Sequence, residues 1–449
     1  MRRILLLFLL FYTTPLAAQQ DTTRLPTGVR LGMIYQTLQR PTLAVRAFTG
    51  EGELIGVAEQ VGSIVARDLD YSDRFEVFEV PPQLAEGPVD YSAWNGLNVV
   101  YVLDGAVEPL PEEGYLLRLT FHDVVYGNVR ELQAFRLPDA SADGFRMAVH
   151  AAADEVVRWA TGQPGMAASR IAFVRSTGEG GSELMVVDSD GENVRRIATS
   201  EGIMMAPAWS PDGTRIAYSV GSSDGSWTVE ERDLVTGAVR QITTSRALSL
   251  TPTYTPDGRG LAMALWNGRN TDLFEYDLET GRLRELRAGP GEDIYPTYSS
   301  DGRRIAFMSD RLGQPHIYVM STDGGSAELL SPYTYGEPGY YTSPDWSPET
   351  SIVAFHGRSR GQFQIMAVDA ANPGSTVRQL TEEGRSEDPS WAPDGRHLVF
   401  RGVRRGGEGL FVLDAASGRT RPLVMGGRVR LPDWSPALMR ASALTDRDE

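Results

Sequence analysis

The stretch Pro389-Ser-Trp391-Ala-Pro-Asp-Gly395-Arg-His-Leu398-Val-Phe400 decides how this chain is read, because it is one copy of a returning motif. The pattern also stands at Pro207-Ala-Trp209-Ser-Pro-Asp-Gly213, Pro252-Thr-Tyr254-Thr-Pro-Asp-Gly258 and Pro296-Thr-Tyr298-Ser-Ser-Asp-Gly302. It recurs at Pro344-Asp-Trp346-Ser-Pro-Glu-Thr350 and, truncated, at Pro432-Asp-Trp434-Ser-Pro436. Successive starts lie 45, 44, 48, 45 and 43 residues apart. A period in the forties built from several short strands belongs to a β-propeller blade.

Each unit resolves into four strands. Pro-Asp-Gly is a tight turn: proline presets φ, aspartate bonds locally and glycine tolerates positive φ. An apolar strand follows, as in Ile216-Ala-Tyr218, Leu261-Ala-Met263 or Ile305-Ala-Phe307. After a polar loop comes a third strand, such as Ile317-Tyr-Val-Met320, and a Gly turn leads to a fourth, such as Val239-Arg-Gln-Ile242. Ile171-Ala-Phe173, Leu184–Asp188 and Val194–Ala198 read as strands two to four of a blade whose first strand is Pro432–Pro436. Five whole units plus this split one predict six blades, closed by pairing the two ends, which removes exposed sheet edges.

Upstream of the repeats the pattern changes. Leu54, Val57, Ala58, Val61, Ile64, Val65 and Leu69 recur at helical spacing. Ala142–Ala160 reads as a second helix, with Phe145, Val149, Ala152, Val156 and Trp159 on one face. Strands are expected at Thr42–Phe48, Phe75–Val80, Asn98–Leu103, Tyr115–His122 and Val129–Leu137, the last two joined by the turn Tyr126-Gly-Asn128. The fold class is therefore multidomain, a small α/β N-terminal domain followed by an all-β six-bladed propeller. The expected division is 1–18 signal peptide, 19–162 first domain, 163–169 linker, 170–436 propeller and 437–449 tail. Arg2 and Arg3, the apolar run from Ile4 to Tyr12 and the small residues near Ala18 carry the signal-peptide reading. That run is shorter than the roughly 20 apolar residues a spanning helix needs, so no direct membrane insertion is expected.

Composition removes whole classes of chemistry. The chain of 449 residues has no cysteine, which excludes disulfides, thiolate ligands and cysteine nucleophiles. All 43 basic residues are arginine, so Schiff-base, P-loop and Ser-Lys chemistry are also excluded. A net charge of −16 argues against nucleic-acid partners. Gly357-Arg-Ser359-Arg-Gly361 matches a nucleophile-elbow spacing but sits between blade strands instead of between strand and helix. His122, His150, His316, His356 and His397 are too dispersed in sequence to read as a metal motif. Asp188-Ser-Asp190-Gly191 and Thr322-Asp323-Gly324-Gly325 read as turns, lacking the remaining ligands of a calcium loop. No catalytic residue, metal site or cofactor is expected. Propellers do cap peptidases, but those need a hydrolase domain for which this sequence leaves no room.

What remains is a surface. In a four-stranded blade, the loop between strands two and three and the loop entering the next blade emerge on one face. The first group carries Arg269, Arg311, Arg358, Arg360, Arg404 and Arg405. The second carries Glu292, Asp293, Glu337, Tyr340, Tyr341, Arg385, Glu387 and Asp388. Arginine and tyrosine with mixed charge suit a protein-binding rim around a channel. The alternative is a channel that binds a small ligand or metal.

Several stretches carry a family resemblance: Asp90-Tyr-Ser-Ala-Trp94, Leu119-Thr-Phe-His-Asp123, Phe145-Arg-Met-Ala-Val-His150 and Arg170-Ile-Ala-Phe-Val174 in the first part, then Tyr340-Tyr-Thr-Ser-Pro-Asp-Trp-Ser-Pro348 and Glu387-Asp-Pro-Ser-Trp-Ala-Pro-Asp-Gly395. Together they resemble the TolB family of the Tol-Pal envelope system over nearly the whole length. The resemblance implies a periplasmic, non-enzymatic protein that supports outer-membrane integrity and cell division. It implies a peptidoglycan-associated lipoprotein, Pal, bound at the propeller mouth, and a TolA-like inner-membrane protein reached by the N-terminal segment. The positions that would face Pal are Leu248, Ser249, Leu250, Thr251, Asp293, Ile294 and Tyr295, with Tyr340, Tyr341, Arg385 and Glu387 beside them. Their side chains depart from the family's best-known pattern, and Gln19 to Arg40 is unlike the usual TolA-binding stretch.

Overall fold

The computed structural model describes residues 31–32 and 40–441, except 111–112, 179, 244–248, 288, 337–338 and 373. The signal-peptide segment, Leu248, Glu337 and residues 442–449 lie outside the described residues. Of Ser249, Leu31 and Gly32 only the backbone is described.

The first domain is a mixed five-stranded sheet in the spatial order Glu76–Phe78, Thr42–Val45, Tyr101–Pro109, Tyr115–Asp123, Asn128–Leu137. The first two junctions are parallel and the last two antiparallel. Helices α1 (Leu54–Tyr71) and α3 (Phe145–Thr161) follow the predicted periodicity. Val61, Ile64, Val65 and Leu69 of α1 and Val149, Ala152 and Val156 of α3 share one core with Leu103, Leu117, Leu119, Phe121 and Phe135 of the sheet. α3 starts at Phe145, later than the apolar pattern suggests, because Asp139 first turns the chain by accepting the Ser141 N–H and hydroxyl. The central strand begins at Tyr101, not Asn98. A short helix α2 (Tyr91–Gly96), capped by Asp90 accepting the Ala93 N–H at 3.0 Å, occupies the preceding residues, and Asn98 leaves it at φ 59°. Six residues are too few to show a helical period, so the sequence reading missed it.

The propeller has six four-stranded blades, as the repeat predicts. Blade 1 is Met204–Trp209, Arg215–Gly221, Trp227–Asp233 and Val239–Gln241. Blade 2 is Ser249–Tyr254, Gly260–Trp266, Thr271–Asp277 and Leu283–Arg287; blade 3 is Asp293–Tyr298, Arg304–Ser309, His316–Ser321 and Glu328–Leu329. Blade 4 is Tyr341–Trp346, Ile352–Ser359, Gln362–Asp369 and Val377–Gln379; blade 5 is Arg385–Trp391, His397–Arg404, Gly407–Asp414 and Thr420–Met425. Blade 6 joins Arg428–Trp434 to Arg170–Ser176, Ser182–Asp188 and Arg195–Ser200, with Trp434 opposite Ile171. The ring is thus closed by its two ends. Leu31–Gly32 adds a short parallel strand to the outer edge of blade 4, opposite Val377 and Arg378, which the sequence did not signal.

The motif has a structural cause at each position. The glycine of the Pro-Asp-Gly turn sits at φ 70° in Gly213 and 71° in Gly258, where a side chain would be strained. The turn aspartate accepts the N–H two residues on: Thr214 to Asp212, Arg259 to Asp257, Arg303 to Asp301 and Arg396 to Asp394. The motif's first proline interrupts the innermost strand of every blade. A proline cannot donate to the ladder and is tolerated at a bulge. The pairing slips there in all six blades. The residue before each proline is left-handed: Ala206, Thr251, Tyr295, Ser343, Asp388 and Leu431 have φ between 46° and 55°. None is glycine, so each carries a backbone strain of about 1 kcal/mol.

Candidate functional site

The six bulges form the mouth of the channel. Ala206, Thr251, Tyr295, Ser343, Asp388 and Leu431, with their prolines, line a narrow cavity of about 100 Å³. Adjacent blades are stitched here. The Thr251 hydroxyl accepts the Tyr295 N–H at 3.0 Å, and Ser343 donates to Asp388 at 3.3 Å. His356 Nδ1 accepts the Asp388 N–H at 3.0 Å, and complete burial pushes that imidazole down to about 4, so it stands neutral.

One turn deeper, the residue after each proline forms the channel waist. Asp345 Oδ2 accepts the Trp391 N–H at 2.7 Å and Asp433 Oδ2 accepts the Trp209 N–H at 2.8 Å. Thr297 and Ser390 do the same for the N–H groups of Trp346 and Trp434. The recurring tryptophans are therefore buried staples between blades, and blade-to-blade register is written in this position. Burial pushes the Asp345 carboxyl up to about 6; burial and the nearby Asp345 charge push the Asp433 carboxyl well above the usual carboxylate range. The carboxylates lining this part of the channel are Asp345 of blade 4, Asp433 of blade 6 and, before its proline, Asp388 of blade 5; the residues after the prolines in blades 1 to 3 are Ala208, Thr253 and Thr297.

The two ends of the channel differ. One end opens into a cavity of about 690 Å³ roofed by Ala151, Asp154 and Arg158 of α3 and walled by Pro211, Pro348, Pro393 and Pro436 of the turn motif. The first domain thus covers the face of the Pro-Asp-Gly turns. Among the described residues, the first domain does not cover the opposite face, which carries the strand-two-to-three loops and the entries to each blade.

The predicted rim residues fall into three groups. Thr251 and Tyr295 line the mouth directly. Tyr340 is 39% exposed and packs against Phe363, whose ring lies 5.4 Å away, while the Arg385 guanidinium stands 5.6 Å over that same ring. Phe363, supported beneath by His356 at 5.2 Å, is the pillar of this patch and was not picked out from the sequence. Tyr335, at 91% exposure, was also missed. The third group is inward. Leu250 and Ile294 pack on the core between blades 2 and 3, and Tyr341 on that between blades 3 and 4. Asp293 is fully buried under Arg311, 2.9 Å away, and Glu387 is buried between Arg385 and Arg401, each at 2.6 Å. Asp293 and Glu387 are therefore internal ion pairs instead of free rim charges. Ser249, Leu250, Thr251, Asp293, Ile294, Tyr295, Tyr341, Arg385 and Glu387 lie in the innermost strands, where loops were expected, and Tyr340 immediately precedes one.

The elbow-like stretch has no elbow. Ser359 ends a blade strand, Arg360 turns at φ 49°, and the chain returns as the next antiparallel strand from Gln362.

The covered face is held by charge. Asp73, just beyond α1, takes Arg419 at 2.9 Å and His397 at 3.3 Å from blade 5, and Arg40 at 3.5 Å. Arg146 of α3 reaches Asp188 at 3.2 Å and Asp190 at 2.6 Å in blade 6. Arg421 stacks 3.9 Å over Tyr71. His150 Nδ1 lies 2.7 Å from Asp68, and Asp190 closes a trio of ligand-type atoms within 4.8 Å of one another. That trio does not suit a metal: Arg146 and Arg67 already sit on Asp190, and a divalent ion would stand among guanidinium groups. Asp154 accepts the Ala167 and Ala168 N–H groups at 2.9 Å each, tying the linker to α3, and burial pushes its carboxyl up to about 7.

Comparison with known proteins matches two parts of the chain. The TolB amino-terminal domain pattern matches residues 33–129 and the TolB beta propeller domain pattern matches residues 157–438. The Tol-Pal system protein TolB of Thioalkalivibrio sulfidiphilus is 33% identical over 220 residues, 47% of this chain and 48% of that protein. The TolB of Methylococcus capsulatus is 35% identical over 184 residues, 39% of this chain and 42% of that protein. The matched region thus spans about half the length of the curated relatives. The crystal structure of TolB from Acinetobacter baumannii superposes with a TM-score of 0.77 at 25% identity, covering 91% of this chain and 100% of that one. With both domain patterns in order and the propeller pattern covering more than half of its residues, the chain belongs to the TolB family.

Proposed function

We propose that this protein is a periplasmic, non-enzymatic scaffold of a Tol-Pal envelope complex, and that its open propeller face binds a Pal-like peptidoglycan-associated lipoprotein. In this reading residues 1–18 direct export and are removed, 19–162 and 170–436 act as two units, and the bound lipoprotein links the protein to outer-membrane integrity and cell division. The N-terminal segment before Arg40 addresses a TolA-like inner-membrane protein. The observation that carries the reading is the asymmetry of the channel. One face is occupied by the first domain, while the other presents Tyr340, Phe363 and Arg385 beside a mouth walled by strained backbone. Aromatic and arginine anchors next to a preformed recess are what a protein hot spot uses.

The test is co-purification of the mature chain from a native envelope extract, beside a Tyr340→Ala, Arg385→Ala double variant. Recovery of a peptidoglycan-associated lipoprotein with the first and its loss with the second supports the reading. Equal recovery with both refutes the assignment to this face. The channel-ligand alternative draws on the acidic side formed by Asp345, Asp388 and Asp433. It predicts a rise in melting temperature with added calcium, which a scaffold alone does not require.

A further inference from the structure

His397 opens the second strand of blade 5 and is fully buried at the domain boundary. Its two ring nitrogens face carboxylates from different domains. Nδ1 lies 2.7 Å from Asp394 Oδ2 in its own blade turn, and Nε2 lies 3.3 Å from Asp73 Oδ2 beyond α1. A neutral imidazole carries one ring proton and can donate to one of the two; only the imidazolium donates to both. In the other aspartate-bearing turns of the motif the position after the turn arginine or threonine is Arg215, Gly260 or Arg304, so blade 5 alone puts a titrating group there.

The surroundings are charged on every side. From blade 5, Arg396 holds Asp414 at 2.7 Å and also donates to the Asp73 carbonyl at 3.1 Å, and Arg419 holds the Asp73 carboxylate. From the first domain, Arg40 reaches Asp73, and Arg74 lies near enough to Arg396, Asp394 and Asp414 to feel their charge. Remove the proton from His397, and Asp394 or Asp73 faces an imidazole lone pair inside a buried contact. Arg419 and Arg40 still answer Asp73, but a carboxylate held against a lone pair in a buried contact is unfavourable, and the cheapest relief is to let water in.

We propose that His397 is a proton-dependent latch between the two domains: as imidazolium it bridges Asp394 to Asp73, and on losing its proton it loosens the contact of the first domain with blade 5, which Arg396, Arg419 and Arg421 still hold. The inference rests on the domain boundary and not on the partner assigned to the open face, so the two stand or fall separately. Burial pulls the imidazole down, but Asp394, Asp73 and Asp414 outweigh it and hold it at about 9. A histidine raised this far contributes fully below its unfolded value of about 6.5, and the contribution disappears as pH rises through about 9. The latch is closed across the neutral range and opens on the alkaline side.

The chain has five histidines, few enough for imidazole nitrogen resonances to be followed individually in the full-length mature protein. The expected result is one imidazole, absent from His397→Gln, that keeps both ring protons through neutral pH and titrates near 9. Small-angle scattering of the same samples should show the radius of gyration rising through that midpoint in the wild type and flat in His397→Gln. Asp73→Asn, a near-isosteric change outside blade 5, should lower the His397 midpoint by at least about one unit. A neutral His397 at pH 7, a midpoint unmoved by Asp73→Asn, or scattering that does not change through the titration would each overturn the latch.

Discussion

The two faces of the propeller use the same repeat to opposite ends. On the covered face, the turns of blades 5 and 6 have traded solvent for charge: Asp188, Asp190, Asp394 and Asp414 are buried and answered by Arg146, Arg396 and His397, while Arg419 answers Asp73 of the first domain. On the open face, buried carboxylates are neutralised inside each blade, as in the Arg385–Glu387–Arg401 chain, and Tyr340 stands exposed beside arginines such as Arg358, Arg360 and Arg385. The difference teaches where each face's specificity resides. The covered face is fixed by ionic geometry between two parts of one chain. The open face keeps its strained bulges and its Tyr340–Phe363–Arg385 patch for something else. Interfaces between domains in one chain are commonly this polar, and polarity of that kind goes with relative motion.

The comparison can be broken first at the feature both faces share. Trp434 closes the ring: its N–H is held by Ser390 and its indole donates to Ser169 at 2.7 Å. Trp434→Ala should cost about 3–5 kcal/mol in denaturant unfolding and dissolve both faces together. Loss of one face alone would show that the blades are not closed as one unit.

A cut at the covered face should leave the open one intact. Arg146→Ala removes one of the arginines on each of two buried carboxylates, leaving Arg170 on Asp188 and Arg67 on Asp190, at a cost of about 1–2 kcal/mol. Limited proteolysis should then nick the linker, residues 163–169, while lipoprotein capture persists. Capture lost along with the linker would mean that the faces are coupled.

The acid side sharpens the ionic account. Burial would raise the Asp414 carboxyl, but Arg396 and His397 outweigh it and hold it at about 2. A depressed carboxyl contributes stability above its unfolded pKa and loses it as pH falls through the folded one. Asp414 therefore supports the fold above about pH 4 by about 2 kcal/mol, and this vanishes toward about pH 2. Asp414→Asn should unfold with a shallower dependence over that interval than the wild type.

The smallest effect separates strain from packing. Ala206→Gly, at φ 46°, should be neutral or stabilising by up to about 1 kcal/mol, whereas Ala208→Gly, two residues along the same strand, should cost about 1 kcal/mol. Equal effects at both positions would remove the case for a strained mouth.

Much of this architecture was legible because it is periodic. Six prolines at a period in the forties, each followed by an aromatic, announce six inner strands, and the unpaired last copy announces the closure. The helices of the first domain were legible for the same reason, with an apolar stripe at helical spacing. The site was only partly legible. Tyr340 and Arg385 could be placed on the open face from loop order, but Phe363 could not, because its neighbours Arg385 and His356 come from different strands. The left-handed bulges carry Ala, Thr, Tyr, Ser, Asp and Leu, types that signal nothing about φ. The latch was invisible for a simpler reason: Asp73 and His397 are 324 residues apart and belong to no shared motif. Asp293 and Glu387 misled the reading because a carboxylate beside a loop looks exposed until its arginine is found.

The central claim is that the open face binds a peptidoglycan-associated lipoprotein, and titration calorimetry of the mature chain against the cognate lipoprotein's soluble domain tests it most directly. The account predicts saturable binding that weakens about 30-fold or more with Tyr340→Ala plus Arg385→Ala, and is unchanged by Arg146→Ala. No binding, or binding that follows Arg146 and ignores the aromatic patch, would contradict it.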